Sequence, residues 1–233
     1  MRDRWVRWGS KPFWLALLGC LQFVLLTAVA MWVYPGGSAA NPRSLGYSFF
    51  GNFFSDLGLT VTRTGHSNWP SLILFVTALT IAGLGLIVFF VAAPQFFWRT
   101  CPRRVTSLLG SFFGILSGLS FVGIAWSPAN VERLWHIRFV MWAFEGFLVA
   151  AAFYVLAMFL NPAYPRRLMA VYLAFTVLLG AYVYLLTAGP GTGNPRGLAI
   201  QIAAQKVIVY AAIVATTLQA WGALALQDRG LGA

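Results

Sequence analysis

Acidic residues are nearly missing from this chain of 233 residues, which has five Asp and Glu against 16 Lys and Arg. Charged residues make up 9% of the sequence, whereas a soluble globular domain has about 25%. Hydrophobic residues make up 60%. So few charged side chains cannot cover a water-exposed surface. The composition therefore excludes a soluble domain and is typical of an integral membrane protein.

Cysteine is also scarce, with two residues in the chain. Cys20 lies in an apolar run and Cys101 in a short basic segment, so a disulfide between them would contradict the predicted topology. Neither has a second Cys or His nearby, so the spacing does not predict a zinc site, and no cofactor or metal is predicted. The net charge of +11 does not indicate nucleic-acid binding, because basic residues beside apolar spans are typical of cytoplasmic membrane loops.

Six apolar runs are each long enough to cross a bilayer, which takes about 20 helical residues. They are residues 13–34, 68–93, 105–126, 136–160, 168–188 and 198–226. The sequence thus predicts an all-α, polytopic six-helix bundle that forms one transmembrane domain over residues 1–233. The first run could be a signal peptide, but its about 22 residues exceed the 7 to 15 of a typical apolar signal region, which favours a retained helix.

The distribution of Lys and Arg predicts the orientation. With the N-terminus in the cytoplasm, ten cations lie inside and five outside, and both termini are cytoplasmic. The inner set is Arg2, Arg4, Arg7, Lys11, Arg99, Arg103, Arg104, Arg166, Arg167 and Arg229, and the outer set is Arg43, Arg63, Arg133, Arg138 and Arg196.

The third span carries Gly110, Gly114 and Gly118 at intervals of four residues. Small residues at this spacing allow close approach between membrane helices. The pattern predicts packing against a neighbouring helix within the chain, with a dimer interface as the alternative.

The first outer loop, residues 35–67, contains a segment with helical periodicity. The apolar residues Phe49, Phe50, Phe53, Phe54 and Leu57 share one face, while Ser48, Asn52 and Asp56 lie four apart on another. This indicates a short amphipathic helix in the outer interface, ended by Gly58, with its polar face toward the bundle. The alternative is a loop whose aromatic residues anchor it among headgroups.

Two charged residues lie within spans: Glu145 in the fourth and Lys206 in the sixth. Both helices enter from outside, and the position of each residue in its helix places both roughly 12 to 14 Å below the outer boundary. We therefore expect an ion pair between them, joined by Arg138, which shares a helix face with Trp142 and Glu145. The pair could simply hold the helices together, or one partner could titrate or bind a polar ligand.

Two histidines, His66 and His136, lie at the outer end of the molecule together with Asp56. A catalytic zinc site takes three such ligands, but no HxxxH or HExxH pair is present. Interfacial histidines that bond to loops are the more common arrangement, and a metal-dependent lipid hydrolase is kept as a second alternative function.

Four features of the sequence resemble those of known membrane families. They are the segment Asn52-Phe-Phe-Ser55-Asp56-Leu-Gly58, the Gly-rich third span, His136 at the start of the fourth span and Gln205-Lys206 in the last span. The chain resembles the six-span DRAM-like and Sfk-like membrane families, and a large bacterial membrane family catalogued as a domain of unknown function. The resemblance implies a bacterial inner-membrane bundle without established enzymatic chemistry. The residues after Gly58 differ from those that follow the same motif in the eukaryotic members of these families. This difference favours a relation to the bacterial family.

The sequence favours a non-enzymatic protein that binds a lipid headgroup or another polar ligand in an outward-facing pocket between helices. The expected partners are membrane lipids and the polar ligand. The predicted ligand-binding residues are Asn52, Ser55, Asp56, His66, His136, Glu145, Gln205 and Lys206, and the predicted structural residues are Gly58, Gly110, Gly114, Gly118, Arg138 and Trp142. A small proton-coupled transporter that uses the Glu145–Lys206 pair is the first alternative.

Overall fold

A computed structural model describes residues 8–228, and six α-helices contain most of them. They are α1 (Lys11–Val33), α2 (Trp69–Ala92), α3 (Cys101–Trp126), α4 (Arg133–Leu160), α5 (Arg166–Ala188) and α6 (Pro195–Asp228). Two short 3₁₀ helices, Phe54–Gly58 and Ala93–Phe97, lie in the first loop and directly after α2. Each α-helix is long and apolar enough to cross a membrane. The all-α, six-span prediction is therefore confirmed for the described residues.

The helix bounds differ from the apolar runs mainly at the starts. The helix α3 begins at Cys101 and α4 at Arg133, whereas the runs begin at 105 and 136. Hydrophobicity marks the part of a helix that faces lipid, but the backbone hydrogen bonds continue into polar residues. Prolines in the first turn of α1, α2 and α3 agree with these starts, because proline has no N–H to lose there.

The helices are arranged as a closed ring. Each packs mainly against its neighbours in chain order, and α6 closes the bundle by packing against α1. Gln227 Nε2 donates a hydrogen bond of 2.8 Å to the carbonyl of Trp8, so the start of α1 and the end of α6 lie at one end of the bundle. We call this the terminal end, and the opposite end, which carries residues 34–68, the loop end.

The glycines of α3 lie where its two neighbours approach most closely. A Cβ added at Gly110 would lie 2.7 Å from the Tyr154 ring of α4, and one at Gly118 would lie 2.9 Å from a carbonyl of α2. Gly114 faces the ring of Phe90 on α2. The predicted packing within the chain is confirmed, because a side chain at any of the three positions would clash with atoms of α2 or α4.

Serine hydroxyls strengthen the same contacts. Ser111 donates to the carbonyl of Phe90 on α2, and its Oγ lies 2.7 Å from the hydroxyl of Tyr154 on α4. Ser117 donates to the carbonyl of Ala143 on α4 at 2.7 Å. Such interhelical bonds help hold membrane helices together, since lipid supplies no hydrophobic driving force between them. They fix α3 between α2 and α4.

Candidate functional site: the loop end of the bundle

The loop of residues 34–68 folds onto and partly into the loop end. Two isolated β-bridges, between Gly36 and Leu45 and between Val61 and Ser67, close its two arms. Between them, the 3₁₀ helix Phe54–Gly58 is buried, with Leu57 fully enclosed against α2. A Cβ at Gly58 would lie 2.7 Å from the ring of Phe75, so this glycine lets the loop pack closely on α2.

The predicted amphipathic helix is not formed over its full length. Phe53 has extended backbone angles of φ −68° and ψ 157°, and only Phe54–Gly58 is helical. The Asn52 side chain explains the break, because its Oδ1 accepts from Ser48 N at 3.0 Å and its Nδ2 donates to Gly37 O at 2.9 Å. Asn side chains that bond to the backbone in this way compete with helix formation. Part of the segment of residues 47–58 is therefore buried in the protein, and part of it lies at the surface.

Asn52, Asp56, Gln205 and Lys206 come together at the loop end, and we call these four residues the polar cluster. Asn52 is completely buried and donates from Nδ2 to Asp56 Oδ2 at 2.8 Å. Gln205 Oε1 accepts from Phe54 N at 2.7 Å. The cluster therefore joins the first loop to α6. Ser55, in the same 3₁₀ helix, is half-buried.

Asp56 is a buried acid whose carboxyl group is hydrogen-bonded within the loop. Its Oδ2 accepts from Phe53 N at 3.1 Å in addition to Asn52 Nδ2. Burial raises the pKa of Asp56 above its usual value, while the bond from Asn52, the charge of Arg63, the Phe53 N–H and the charge of Lys206 oppose that rise. Desolvation is the largest of these effects. Burial also raises the pKa of Tyr47, with Asp56 adding to the shift.

Lys206 extends from α6 into the loop rather than across the bundle. Its Nζ donates to the carbonyl of Asn52 at 2.6 Å, and the side chain is 3% exposed. The ammonium lies 4.5 Å from the ring centroid of Phe54, 5.3 Å from that of Tyr47 and 5.4 Å from that of Phe49. Aromatic faces at such distances stabilise a desolvated cation. The lysine is therefore enclosed by a carbonyl and three rings.

The predicted Glu145–Lys206 ion pair is not formed in the described part of the chain. Lys206 bonds to the loop, while Glu145 lies in a groove between α3 and α4. Arg138 does not join them either, because its guanidinium lies over the ring of Trp135 at 5.2 Å. Equal depth did not bring the charges together, since depth does not determine the direction in which each residue points around its helix axis.

The two histidines are separated as well. His136 is buried and its Nδ1 lies 2.7 Å from the carbonyl of Ser127, which ties the start of α4 to the end of α3. His66 is exposed in the turn of residues 62–67. Within residues 8–228, no three His, Cys, Asp or Glu side chains form a group that could hold a metal ion. The ligand set of Asp56, His66 and His136 that the hydrolase alternative requires is therefore not assembled.

Asn68 and Ser71 form a second anchor for the loop that the sequence interpretation missed. Asn68 is fully buried, and its Nδ2 donates to Leu57 O at 3.0 Å and to Leu59 O at 2.8 Å. Ser71 donates to Leu57 O at 3.2 Å. The one available signal was an Asn directly before Trp-Pro at a helix start, a position where Asn commonly bonds to the backbone.

A groove of about 550 Å³ runs down the outside of α2 and α3 from the loop end. We call it the loop-end groove, and its lining is Thr60, Trp69, Leu72, Ile73, Val76, Thr77, Thr80, Ile81, Ala125, Trp126 and Pro128. Trp69 and Trp126 are 59% and 70% exposed. The hydroxyl of Thr80 is buried and has no hydrogen-bond partner among the described residues. The groove therefore combines apolar walls, two exposed tryptophans and a buried hydroxyl without a hydrogen-bond partner among the described residues.

Where this groove reaches the loop end, the first loop contacts the connection between α3 and α4. Asn130 Nδ2 donates to Thr60 Oγ1 at 2.7 Å, and Thr60 N donates to Asn130 Oδ1 at 3.2 Å. Both of these hydrogen bonds are exposed. They place neutral polar groups where the groove opens at the loop end.

No protein-family profile matches this chain, and neither a curated protein nor a solved structure matches it. The resemblance to the DRAM-like and Sfk-like families and to the bacterial family therefore stays a prediction. What is established is a membrane-type bundle of six apolar helices with a folded loop at one end.

Proposed function

We propose that the protein is a non-enzymatic, multi-pass protein of the bacterial inner membrane that binds a lipid at its outer face. In this proposal the loop end is outside and both termini are cytoplasmic. The distribution of Lys and Arg supports the orientation, because the first turns of α3 and α5, at the terminal end, carry the doubly basic pairs Arg103-Arg104 and Arg166-Arg167. Orientation and ligand are separate parts of the proposal, and each has its own test.

The loop-end groove is the observation that carries the lipid proposal. Its volume of about 550 Å³ is within the range of about 300 to 1,000 Å³ that is usual for ligand sites. Trp69 and Trp126 mark the level at which tryptophan lies among headgroups. An acyl chain in the groove would contact the apolar walls, and the unpartnered Thr80 hydroxyl would meet a polar atom near the ester region.

The chemistry of the groove favours a headgroup recognised by hydrogen bonds. No charged side chain lines the groove, and its entrance carries the Thr60–Asn130 pair. The sequence interpretation assigned the ligand to the polar cluster instead. The proposal moves it to the neighbouring groove, because Asn52, Asp56 and Lys206 already bond to one another or to backbone groups.

Blocking the groove tests the proposal. Thr77 is exposed within the groove, and Thr77→Trp would fill it without removing a contact within the bundle. Val177→Trp is the matched control, because Val177 is 67% exposed on α5, away from the groove. We expect wild type and the control to retain one phosphatidylethanolamine or phosphatidylglycerol molecule in native mass spectrometry after detergent exchange, and Thr77→Trp to lose it. Equal retention by Thr77→Trp would remove the support for the proposal.

A further inference from the structure

A second groove, of about 460 Å³, lies between α3 and α4. It contains Glu145, the acid that does not form the predicted ion pair with Lys206. We call it the lateral groove, and its lining is Phe113, Leu116, Ser120, Trp142, Glu145, Gly146 and Val149. Leu116 and Trp142 are 41% and 49% exposed within spanning helices, so the groove opens toward the membrane. It lies on the opposite side of α3 from the loop-end groove.

Glu145 is placed where a carboxylate is most costly. It is the thirteenth of the 28 residues of α4, which puts it roughly 18 Å along the helix and close to its middle. The side chain is half-buried and makes no hydrogen bond or ion pair with another residue in the described part of the chain. An acidic side chain inside a spanning helix is costly, and it marks a functional site by default.

The other groups in the lateral groove have the chemistry that recognises an organic cation. Trp142 and Phe113 line the same groove as Glu145, and Ser120 donates from its hydroxyl to the Leu116 carbonyl at 2.8 Å. Aromatic rings attract cations within about 6 Å of their centroids, most strongly when water is excluded. The lining contains no basic residue, so the negative charge of Glu145 has no internal counter-ion there.

A column of aromatic rings connects this groove with the loop end. Trp135 and Phe139 lie with ring centroids 6.0 Å apart, and Phe139 and Trp142 lie 5.7 Å apart. At the end of the column nearest the loop end, the guanidinium of Arg138 lies 5.2 Å from the centroid of the Trp135 ring. The column thus holds a cation at Trp135 and ends at Trp142, which lines the groove together with Glu145.

We infer that the lateral groove is a binding site for a lipophilic organic cation, a positively charged centre with apolar substituents, that enters sideways from the membrane. The Glu145 carboxylate provides the opposite charge, Trp142 and Phe113 provide the aromatic contacts, and the remaining walls hold the apolar substituents. Charge complementarity decides for this occupant over a neutral lipid, because a neutral lipid would leave the carboxylate uncompensated. The inference does not depend on the loop-end groove.

Two ions of the same shape and opposite charge test the inference. The full chain is reconstituted in nanodiscs of phosphatidylcholine, and saturable binding of tetraphenylphosphonium and of tetraphenylborate is measured against empty nanodiscs. We expect wild type to bind the cation and not the anion. Glu145→Gln keeps the size of the side chain and removes its charge, so cation binding should weaken at least about tenfold. Glu132→Gln, in the exposed connection before α4, is the matched control and should bind as wild type does.

Further variants keep the result interpretable. Trp142→Leu retains the acid and should weaken cation binding several-fold, so it covers the case in which Glu145→Gln fails to fold. Thr77→Trp fills the other groove and should bind the cation normally, which separates this inference from the proposed lipid site. Equal binding by Glu145→Gln and wild type, equal binding of both ions, or unchanged binding by Trp142→Leu would overturn the inference. So would a wild-type dimer that becomes monomeric in Glu145→Gln, because a second copy would then occupy the groove.

Discussion

Replacing Asn52 with alanine should be among the most damaging single changes at the loop end. Its side chain is completely buried and makes three hydrogen bonds, to Gly37 O, Ser48 N and Asp56 Oδ2. Alanine removes all three, so Ser48 N loses its acceptor, while Asp56 Oδ2 and Gly37 O each keep one other hydrogen bond, from Phe53 N and from the Tyr34 hydroxyl. With about 1 kcal/mol for each of the two neutral bonds and about 1.5 to 3 kcal/mol for the bond to a charged group, the predicted loss is about 3.5 to 5 kcal/mol. Typical domains have about 5 to 15 kcal/mol in total.

The matched control is Asn130→Ala, at an exposed asparagine that makes two hydrogen bonds to Thr60. Water can replace these bonds, so we expect a loss of less than about 1 kcal/mol. The free energy of unfolding is measured in dodecyl maltoside micelles titrated with sodium dodecyl sulfate. Tryptic cleavage after Arg43 or Arg63 provides a second measurement, since both residues are exposed in the loop and cleavage should be faster when the loop is released. If the two variants lost the same free energy and were cleaved at the same rate, the loop would not be held by Asn52.

The remaining predictions concern pH and orientation. Because burial raises the pKa of Asp56 from its usual 3.8, the stabilisation from its protonation is complete below that value and is lost as pH rises through the folded-state pKa. Asp56→Asn keeps an acceptor oxygen and cannot titrate, so its melting temperature should fall less than that of wild type between acidic and neutral pH. Parallel curves of melting temperature against pH for the two proteins would contradict this reasoning. Cys101 is an exposed free thiol at the start of α3, at the terminal end. In spheroplasts, a membrane-impermeant maleimide should therefore label it only after permeabilisation, with Cys101→Ser as the control. Labelling of intact spheroplasts would reverse the proposed orientation.

The sequence alone predicted the number, type and approximate bounds of the spanning helices. This worked because the requirement for about 20 apolar residues in a span is local and can be counted along the chain. The close packing of α3 through Gly110, Gly114 and Gly118 was also predictable, since the four-residue spacing places small residues on one helix face. The sequence further indicated that Asn52 and Asp56 face the bundle, and the structure confirms that both are buried.

The partners of the charged residues could be decided only by the tertiary structure. Glu145 and Lys206 share a depth, but the rotation of α4 and α6 about their axes directs one into the lateral groove and the other into the loop. The rotation results from packing summed over all six helices, which no local pattern contains. The loop is a similar case, since the hydrogen bonds of Asn52 and Asn68 with the backbone override the helical periodicity of residues 47–58. Local hydrophobicity thus determines which segments cross the membrane, while long-range contacts determine where each polar group points.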